Sequence, residues 1–470
     1  MTESFNMRPQ ATALCPYDTM IIVPPLTRRA ALATLTAASA YPQQNQEPTP
    51  AQEEEFQVYG DNPRLFLNAR RLRLLKRERE RTSVRWMQLE TLVAGKAQMA
   101  EPGLAHALYS IVAANNDFAK QAIQFALSAN DIRQQAFVLD WCQPLLSEEQ
   151  SKLLTAKLRQ ALATAPAKRD IPTMRDRALA AVVVGHKEEL EKLVKQWWRK
   201  EVAPGLRNGS YRYTREDSYA LFEMLHAIRD GIQIDLREDA PRYFKELPAY
   251  HILSYYPATF PAAENEYRVP FYDGDGEPDL RVAALARAAD LAMVAFDTNA
   301  QETQFVQGWL IHDRFLMRGV FGIVYEFLWA NPYQPGLSYY HLPLSMHAGA
   351  AGRLALRSSW EDDATWFHYA DRKVQFFEEG RRKDRGLNSP APVEIGGTVV
   401  HFGRDEMKFQ PANAELQKAY VIGLAPNARY DVEVDDEEII EKRTDGGGIL
   451  EFDFPPMQDK SVRIKRATAE

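Results

Sequence analysis

From Pro63 to about Ala330, apolar residues recur at the helical period. Residues 187–202 give the clearest stripe. Leu190, Leu193, Val194, Trp197 and Trp198 fall at i, i+3, i+4, i+7 and i+8, and Pro204-Gly205 is expected to end that helix. Residues 216–230 repeat the pattern through Ser218, Leu221, Phe222, Leu225 and Ile228, with Gly231 as the stop. Residues 279–296 open on an Asp cap and are Ala-rich, which lets neighbouring helices approach closely. Further helices are predicted at 68–94, 103–114, 116–128, 131–142, 147–163, 173–184 and 239–247. Short connections between them predict antiparallel helix hairpins, without a fixed-period repeat.

Beyond Pro335 the period changes to two. Short strands are predicted at 353–358, 365–369, 374–377, 398–402, 419–422, 430–434, 439–443, 449–454 and 461–465, with Asp445-Gly446-Gly447-Gly448 as a hairpin turn. Helices followed by strands define an α+β protein with segregated domains and a boundary near 331–336. Within the β part, Gly423-Leu424-Ala425-Pro426-Asn427-Ala428-Arg429-Tyr430 resembles the strand-and-corner pattern of fibronectin-type sandwiches. That pattern sends Leu424 and Tyr430 into the core and turns the chain at Pro426.

Composition narrows the function classes. Lys and Arg number 57 against 64 Asp and Glu, so a nucleic-acid partner is not expected. No apolar run of about 18 residues exists, so no transmembrane segment is expected. The cysteines are Cys15 and Cys142, which excludes a Cys-based zinc site, and Cys142 reads as a small buried residue. Arg28-Arg29, the small-residue stretch that follows and Ala38-Ser39-Ala40 resemble a twin-arginine export signal cleaved after Ala40. The predicted organisation is therefore a leader at 1–40 (with Met20 as an alternative start), a disordered Gln/Pro/Glu-rich linker at 41–60, a helical domain at 61–335 and an antiparallel β domain at 336–470. Such a protein leaves the cytoplasm for the periplasm or the medium.

Three stretches carry a family resemblance. They are Asn62-Pro63-Arg64-Leu65-Phe66-Leu67, Tyr272-Asp273-Gly274-Asp275-Gly276-Glu277 before a long helix, and Leu356-Arg357-Ser358-Ser359-Trp360-Glu361-Asp362-Asp363-Ala364-Thr365-Trp366. Together they resemble the heparinase II/III-like proteins, which implies an α/α toroid followed by a β-sheet domain and, in many members, polysaccharide lyase activity without a cofactor. The chain departs from active members in two places. Glu216-Asp217-Ser218-Tyr219 stands where an Asn-His pair is usual, and Phe367-His368-Tyr369-Ala370-Asp371 stands where a His-rich stretch is usual.

Uronate β-elimination needs a base for the C5 proton, an acid for the leaving oxygen, and a group that neutralises the carboxylate. Tyr340 and His341, at the domain junction, and Tyr256 are the catalytic candidates. Tyr211, Arg212, Tyr213, Arg215, Glu216, Glu264 and Tyr339 are the substrate-binding candidates, with the arginines suited to bidentate carboxylate recognition and the tyrosines to sugar stacking. His226 reads as a core histidine. Asp273, Asp275, Glu277 and Asp279 lack the spacing of a calcium loop, and Asp279 is explained by capping, so no metal is expected. The basic run 64–85 reads as a solvated helix face with pairs such as Lys76–Glu80.

The sequence reading is an exported protein that interacts with an acidic or neutral polysaccharide. It is a candidate lyase; the alternative is a non-catalytic carbohydrate-binding or cell-envelope interaction protein on the same fold. A third reading, a toroid glycoside hydrolase, rests on Glu216 with Glu264. The oligomeric state is left open.

Overall fold

A computed structural model describes residues 54–260, 268–272, 276–313, 317, 319–387, 391–404, 406–409, 418–435, 438–453 and 461–467. The leader, most of the linker, Cys15, Glu264, Asp273 and Asp275 lie outside the described residues. Residues 55–470 form one compact unit.

The helices are α1 (Ala69–Glu80), α2 (Val84–Ala94), α3 (Pro102–Ala113), α4 (Asn116–Ser128), α5 (Ile132–Trp141), α6 (Glu148–Ala163), α7 (Ile171–Val184), α8 (Lys187–Glu191), α9 (Ala203–Asn208), α10 (Asp217–Ile232), α11 (Pro241–Leu253), α12 (Leu280–Phe296), α13 (Gln301–His312) and α14 (Ile323–Trp329). Six of them close a ring: α3 packs on α5, α5 on α7, α7 on α10, α10 on α12, α12 on α14, and α14 back on α3. Helices α4, α6 and α13 flank this ring, and α11 packs on α13. The result is an α/α toroid. Ring helices are apolar nearly all round, as α10 is from Ser218 to Ile228, because they are covered on every side.

Two helix boundaries differ from the sequence reading. The predicted helix at 68–94 is two helices, because the Ser83 hydroxyl caps α2 by accepting from the Trp86 N–H, at 3.2 Å. The helix predicted to stop at Pro204-Gly205 instead passes from α8 through a π-helical stretch, Lys192–Val202, into α9. Pro204 lies in the first turn of α9, where a missing N–H is tolerated, and the stop comes at Gly209, whose φ is 71°.

Thirteen strands are described: β1 (Ser345–Ala348), β2 (Arg353–Arg357), β3 (Trp366–Ala370), β4 (Lys373–Glu378), β5 (Arg381–Arg385), β6 (Val393–Ile395), β7 (Thr398–Phe402), β8 (Glu406–Phe409), β9 (Lys418–Ile422), β10 (Arg429–Val434), β11 (Glu438–Arg443), β12 (Leu450–Asp453) and β13 (Val462–Arg466). They make three sheets, ordered β1-β2-β3-β4-β5, β12-β9-β7-β6 and β11-β10-β13-β8. The architecture is α+β, as the change of period implies. Pairing is antiparallel except between β7 and β9, which run parallel.

Strand alternation stacks these layers. On β3, Phe367 and Tyr369 face the second sheet, sharing an apolar core with Val400, Phe402, Tyr420 and Ile422. Trp366 faces the other way and packs with Tyr256, Val269, Ala283 and Phe377. On the far side of the second sheet, Val399, Ala419 and Val421 meet Leu424 of the loop after β9 and Tyr430, Val432 and Ile464 of the third sheet. Leu424 and Tyr430 are core residues, and the Tyr430 hydroxyl accepts from the Ala425 N–H at 3.1 Å, fixing the corner at Pro426.

The turn Asp445-Gly446-Gly447-Gly448 is not a hairpin: it carries the chain from β11 in the third sheet to β12 in the second. Its glycines are needed for close approach. A Cβ on Gly447 would stand 2.1 Å from the Gly352 carbonyl oxygen, and one on Gly446 2.7 Å from that of Asn208.

Candidate active site between the toroid and the first sheet

The loop after α9 carries Tyr211, Arg212, Tyr213 and Arg215 to the start of α10. Helix α11 runs alongside and packs on β1 and β2. The loop and α11 meet β2 and β3 in a cluster of tyrosine, histidine and arginine side chains.

At its base, Asp290 of α12 is fully buried. His251 Nδ1 lies 2.6 Å from its Oδ1, the Tyr255 hydroxyl donates to Oδ2 at 2.7 Å, and Arg215 Nη2 approaches Oδ1 at 3.5 Å. Burial alone would raise the Asp290 carboxyl, but Arg215, His251 and Tyr255 hold it below the usual carboxylate range. Burial, with the Arg215 charge behind it, lowers His251 to about 4. The pair is therefore a neutral imidazole donating to a carboxylate.

Above this base stand two hydrogen-bonded aromatic pairs. The Tyr250 hydroxyl lies 2.9 Å from His368 Nε2 on β3. The Tyr213 and Tyr243 hydroxyls bond each other. Burial pushes both phenols up, Tyr243 much the further. The shared bond lowers Tyr213 and raises Tyr243, and Arg353 and Arg215 pull Tyr213 down as well. Both phenols are therefore held above their ordinary value, chiefly by burial. Burial and the same two arginines drive His368 well below its ordinary value, so it is neutral.

Arg353, on β2, stands with its guanidinium carbon 5.3 Å from the Tyr250 ring centre. The Arg215 and Arg353 side chains are only 10% and 13% exposed. Arg215 Nε and Nη1, Arg353 Nε and His368 Nδ1 are buried with no hydrogen-bond partner among the described residues. Buried guanidinium donors are normally paired, because an unmade bond at a charged group is costly. Two of them beside a tyrosine pair suit a planar anion such as a carboxylate.

Of the residues singled out from sequence, Tyr213 and Arg215 belong to this cluster. Arg212 is beside it in a bracing role: it donates to the Ala351 carbonyl at 2.9 Å and pairs with Asp371 at 2.7 Å. Tyr211 is partly buried against Gly205, and Glu216 is exposed at the start of α10. Tyr256 is a core residue, its ring stacked 5.0 Å from Phe377 and its hydroxyl donating to Gln375 at 3.0 Å. Tyr339, Tyr340 and His341 form a short 3-10 turn elsewhere on the junction. There Tyr339 is buried against His312 and Trp360, and Tyr340 is exposed. Tyr256 sits in the aromatic core, and among the described residues no hydrogen bond or ring contact joins Tyr340 or His341 to the cluster. His226 is a core histidine, with Nε2 2.9 Å from the Ala292 carbonyl. Asp279 caps α12, accepting from the Arg281 N–H at 2.8 Å.

Sequence reasoning missed Tyr243, Tyr250, His251, Asp290, Arg353 and His368. Two signals were present. Tyr250-His251 puts two proton-handling side chains side by side on one helix, and His368 interrupts the apolar strand Trp366–Ala370.

No protein family's sequence profile matches the chain, and no curated protein matches it. Among solved structures it is similar to one described as a glycoside hydrolase, at 8% identity, TM-score 0.30, over 88% of this chain and 77% of that one. A likeness that slight carries no inference about this chain.

Proposed function

We propose that this protein binds an acidic polysaccharide at the junction of toroid and sheet and cleaves it by β-elimination. One observation carries the reading: the open guanidinium donors of Arg215 and Arg353 lie beside the Tyr213–Tyr243 pair. The two arginines hold a uronate carboxylate and stabilise the charge that grows on it as the C5–H bond weakens. Tyr213 rests as the phenol, raised by burial; Arg215 and Arg353 favour its phenolate, and once it has lost its proton to solvent the phenolate takes the C5 proton. The C5–H electron pair becomes the C4–C5 double bond. The C4–O bond breaks, and the leaving oxygen receives a proton from Tyr213 or from the Tyr250–His368 pair. No cofactor enters this chemistry.

A non-catalytic binding protein is the second reading, favoured by the burial of Tyr250, His251 and His368, all at or below 2% exposure. The two readings separate in one assay. The wild type is incubated with alginate-, heparin- and hyaluronan-like polymers and scanned for the ultraviolet absorbance of an unsaturated uronate. Both readings expect Arg215→Gln with Arg353→Gln to weaken binding by about 10–100-fold, the worth of one or two charged hydrogen bonds. Only the lyase reading expects product. The same reading has the chain exported, with Arg28-Arg29 and Ala38-Ser39-Ala40 as its support.

A further inference from the structure

A cavity lies among the toroid helices. It has a volume of about 1050 Å³, and one wall is helix α1. The opposite wall is the C-terminal half of α12, with Phe296, together with Trp329 and the loop through Tyr333 and Gln334. Ala283, near the other end of α12, packs against Trp366 of the first sheet. Asp290, at the base of the tyrosine–histidine cluster, and Phe296 are roughly 9 Å apart along the helix at 1.5 Å per residue. Leu291 of its wall directly follows Asp290 of the cluster, but the cluster's own side chains are not among those that line the cavity.

Its chemistry is one-sided. Arg70, Arg71, Arg73, Lys76 and Arg77 line it, against Glu80 as the only lining acid among the described residues. The sequence predicted Lys76–Glu80 as a surface pair, yet none of these five cations forms an ion pair among the described residues, and Glu80 is not paired with Lys76. The cause is visible at Arg71. Its Nη1 donates to the Trp329 carbonyl at 2.9 Å, and burial together with the Arg70 and Arg85 charges pushes it down to about 10. A crowd of like charges on one helix is unfavourable without counter-charge.

Spacing points to the kind of ligand. Arg70, Arg73 and Arg77 fall at i, i+3 and i+7, one face of α1, and span about 10 Å. A single phosphate or carboxylate engages one end of such a row. A chain bearing an acidic group on successive units engages all of it. The rest of the lining suits sugars: Tyr333, 51% exposed, has Arg81 at 5.7 Å from its ring centre and presents the rest of the ring, and Gln304 offers an amide, while Gln334 donates to the Thr298 carbonyl at 3.1 Å and Asn331 accepts from the Tyr333 N–H.

We infer that this cavity is a second binding site, for an anionic oligosaccharide held along the Arg70–Arg73–Arg77 row and stacked on Tyr333. The inference stands on the cavity and does not need the lyase chemistry. As a docking site beside the cluster, it would hold one stretch of the polymer while another reacts.

The test uses the full chain in calorimetric titration at low salt, with an acidic hexasaccharide, a neutral hexasaccharide and tripolyphosphate as probes. The expected result is that Arg70→Gln/Arg73→Gln/Arg77→Gln weakens acidic hexasaccharide binding at least tenfold at one site. The site sensitive to Arg215→Gln should remain. Tyr333→Ala should weaken the oligosaccharide and leave tripolyphosphate unchanged. Since the three arginine positions are exposed, unchanged thermal unfolding will confirm folded variants. The inference is overturned if the triple variant binds like the wild type, if the neutral probe binds as well as the acidic one, or if tripolyphosphate binds this site as tightly as the hexasaccharide. Loss of product formation with this site intact would reject the lyase reading alone.

Discussion

The bond between Tyr250 and His368, 2.9 Å from hydroxyl to Nε2, ties an outer toroid helix to the middle strand of the first sheet. His368 is fully buried, its ring parallel to Trp366 at 5.4 Å and 4.2 Å from Phe271. His368→Ala leaves a cavity and a buried phenol without its partner. The expected loss is about 1–3 kcal/mol in urea unfolding, and Tyr250→Phe, which removes the hydroxyl and keeps the ring, should lose less. No loss from Tyr250→Phe would show that the bond contributes nothing.

A second stabilising device lies inside the ring. Glu223 of α10 receives Arg133 at 2.6 and 2.9 Å and Arg175 at 2.6 Å. Burial alone would raise the Glu223 carboxyl, but the two guanidiniums hold it below its ordinary value. Glu223→Gln leaves Arg133 with Glu101 and Arg175 with Asp176 as their remaining carboxylates, and about 1–3 kcal/mol should be lost. Thermal and urea unfolding measure this; an unchanged midpoint would contradict it.

His347 makes stability pH-dependent. It lies between Asp445 at 2.7 Å and Glu451 at 3.0 Å, with Arg242 and Lys442 lining the same pocket. Burial opposes its charge, but hydrogen bonds to Asp445 and Glu451 win and raise it to about 9. A raised histidine stabilises the fold fully below its unfolded value of about 6.5 and loses that contribution as pH rises through 9. His347→Gln should therefore flatten the fall in melting temperature between about pH 6.5 and 9. A wild-type midpoint constant over that range would contradict the assignment.

Much of the fold was legible because it is local. The stripe through Leu190, Leu193, Val194, Trp197 and Trp198 and the period-two strands need only neighbouring residues to be read. The Asp445–Gly448 turn was misread as a hairpin because a glycine-rich turn reports backbone freedom and not which sheet the next strand joins. The site was only half legible. Tyr213 and Arg215 lie in a conspicuous loop, but Asp290, Arg353 and His368 come from three other elements, up to 153 positions from Arg215 by subtraction of their numbers. Each looks ordinary alone; ring closure and sheet stacking bring them together.

Export is a separate matter. The proposed export, supported by Arg28-Arg29 and Ala38-Ser39-Ala40, predicts a mature chain that begins at Tyr41 outside the cytoplasm. Terminal sequencing of the native protein from a fractionated cell should read Tyr-Pro-Gln-Gln. An intact leader on soluble cytoplasmic protein would refute it.

The role given to Tyr213 is tested most directly by Tyr213→Phe. Turnover of the uronate polymer that the wild type cleaves is followed by ultraviolet absorbance, with polymer affinity measured alongside. Removing the proton-transferring hydroxyl while keeping the ring should lower kcat by about 10²–10⁴-fold and leave affinity nearly unchanged. Tyr340→Phe, on the exposed 3-10 turn, should leave both unchanged. Product formed at the wild-type rate by Tyr213→Phe, or no product from any uronate polymer with the wild type, would contradict the proposed chemistry.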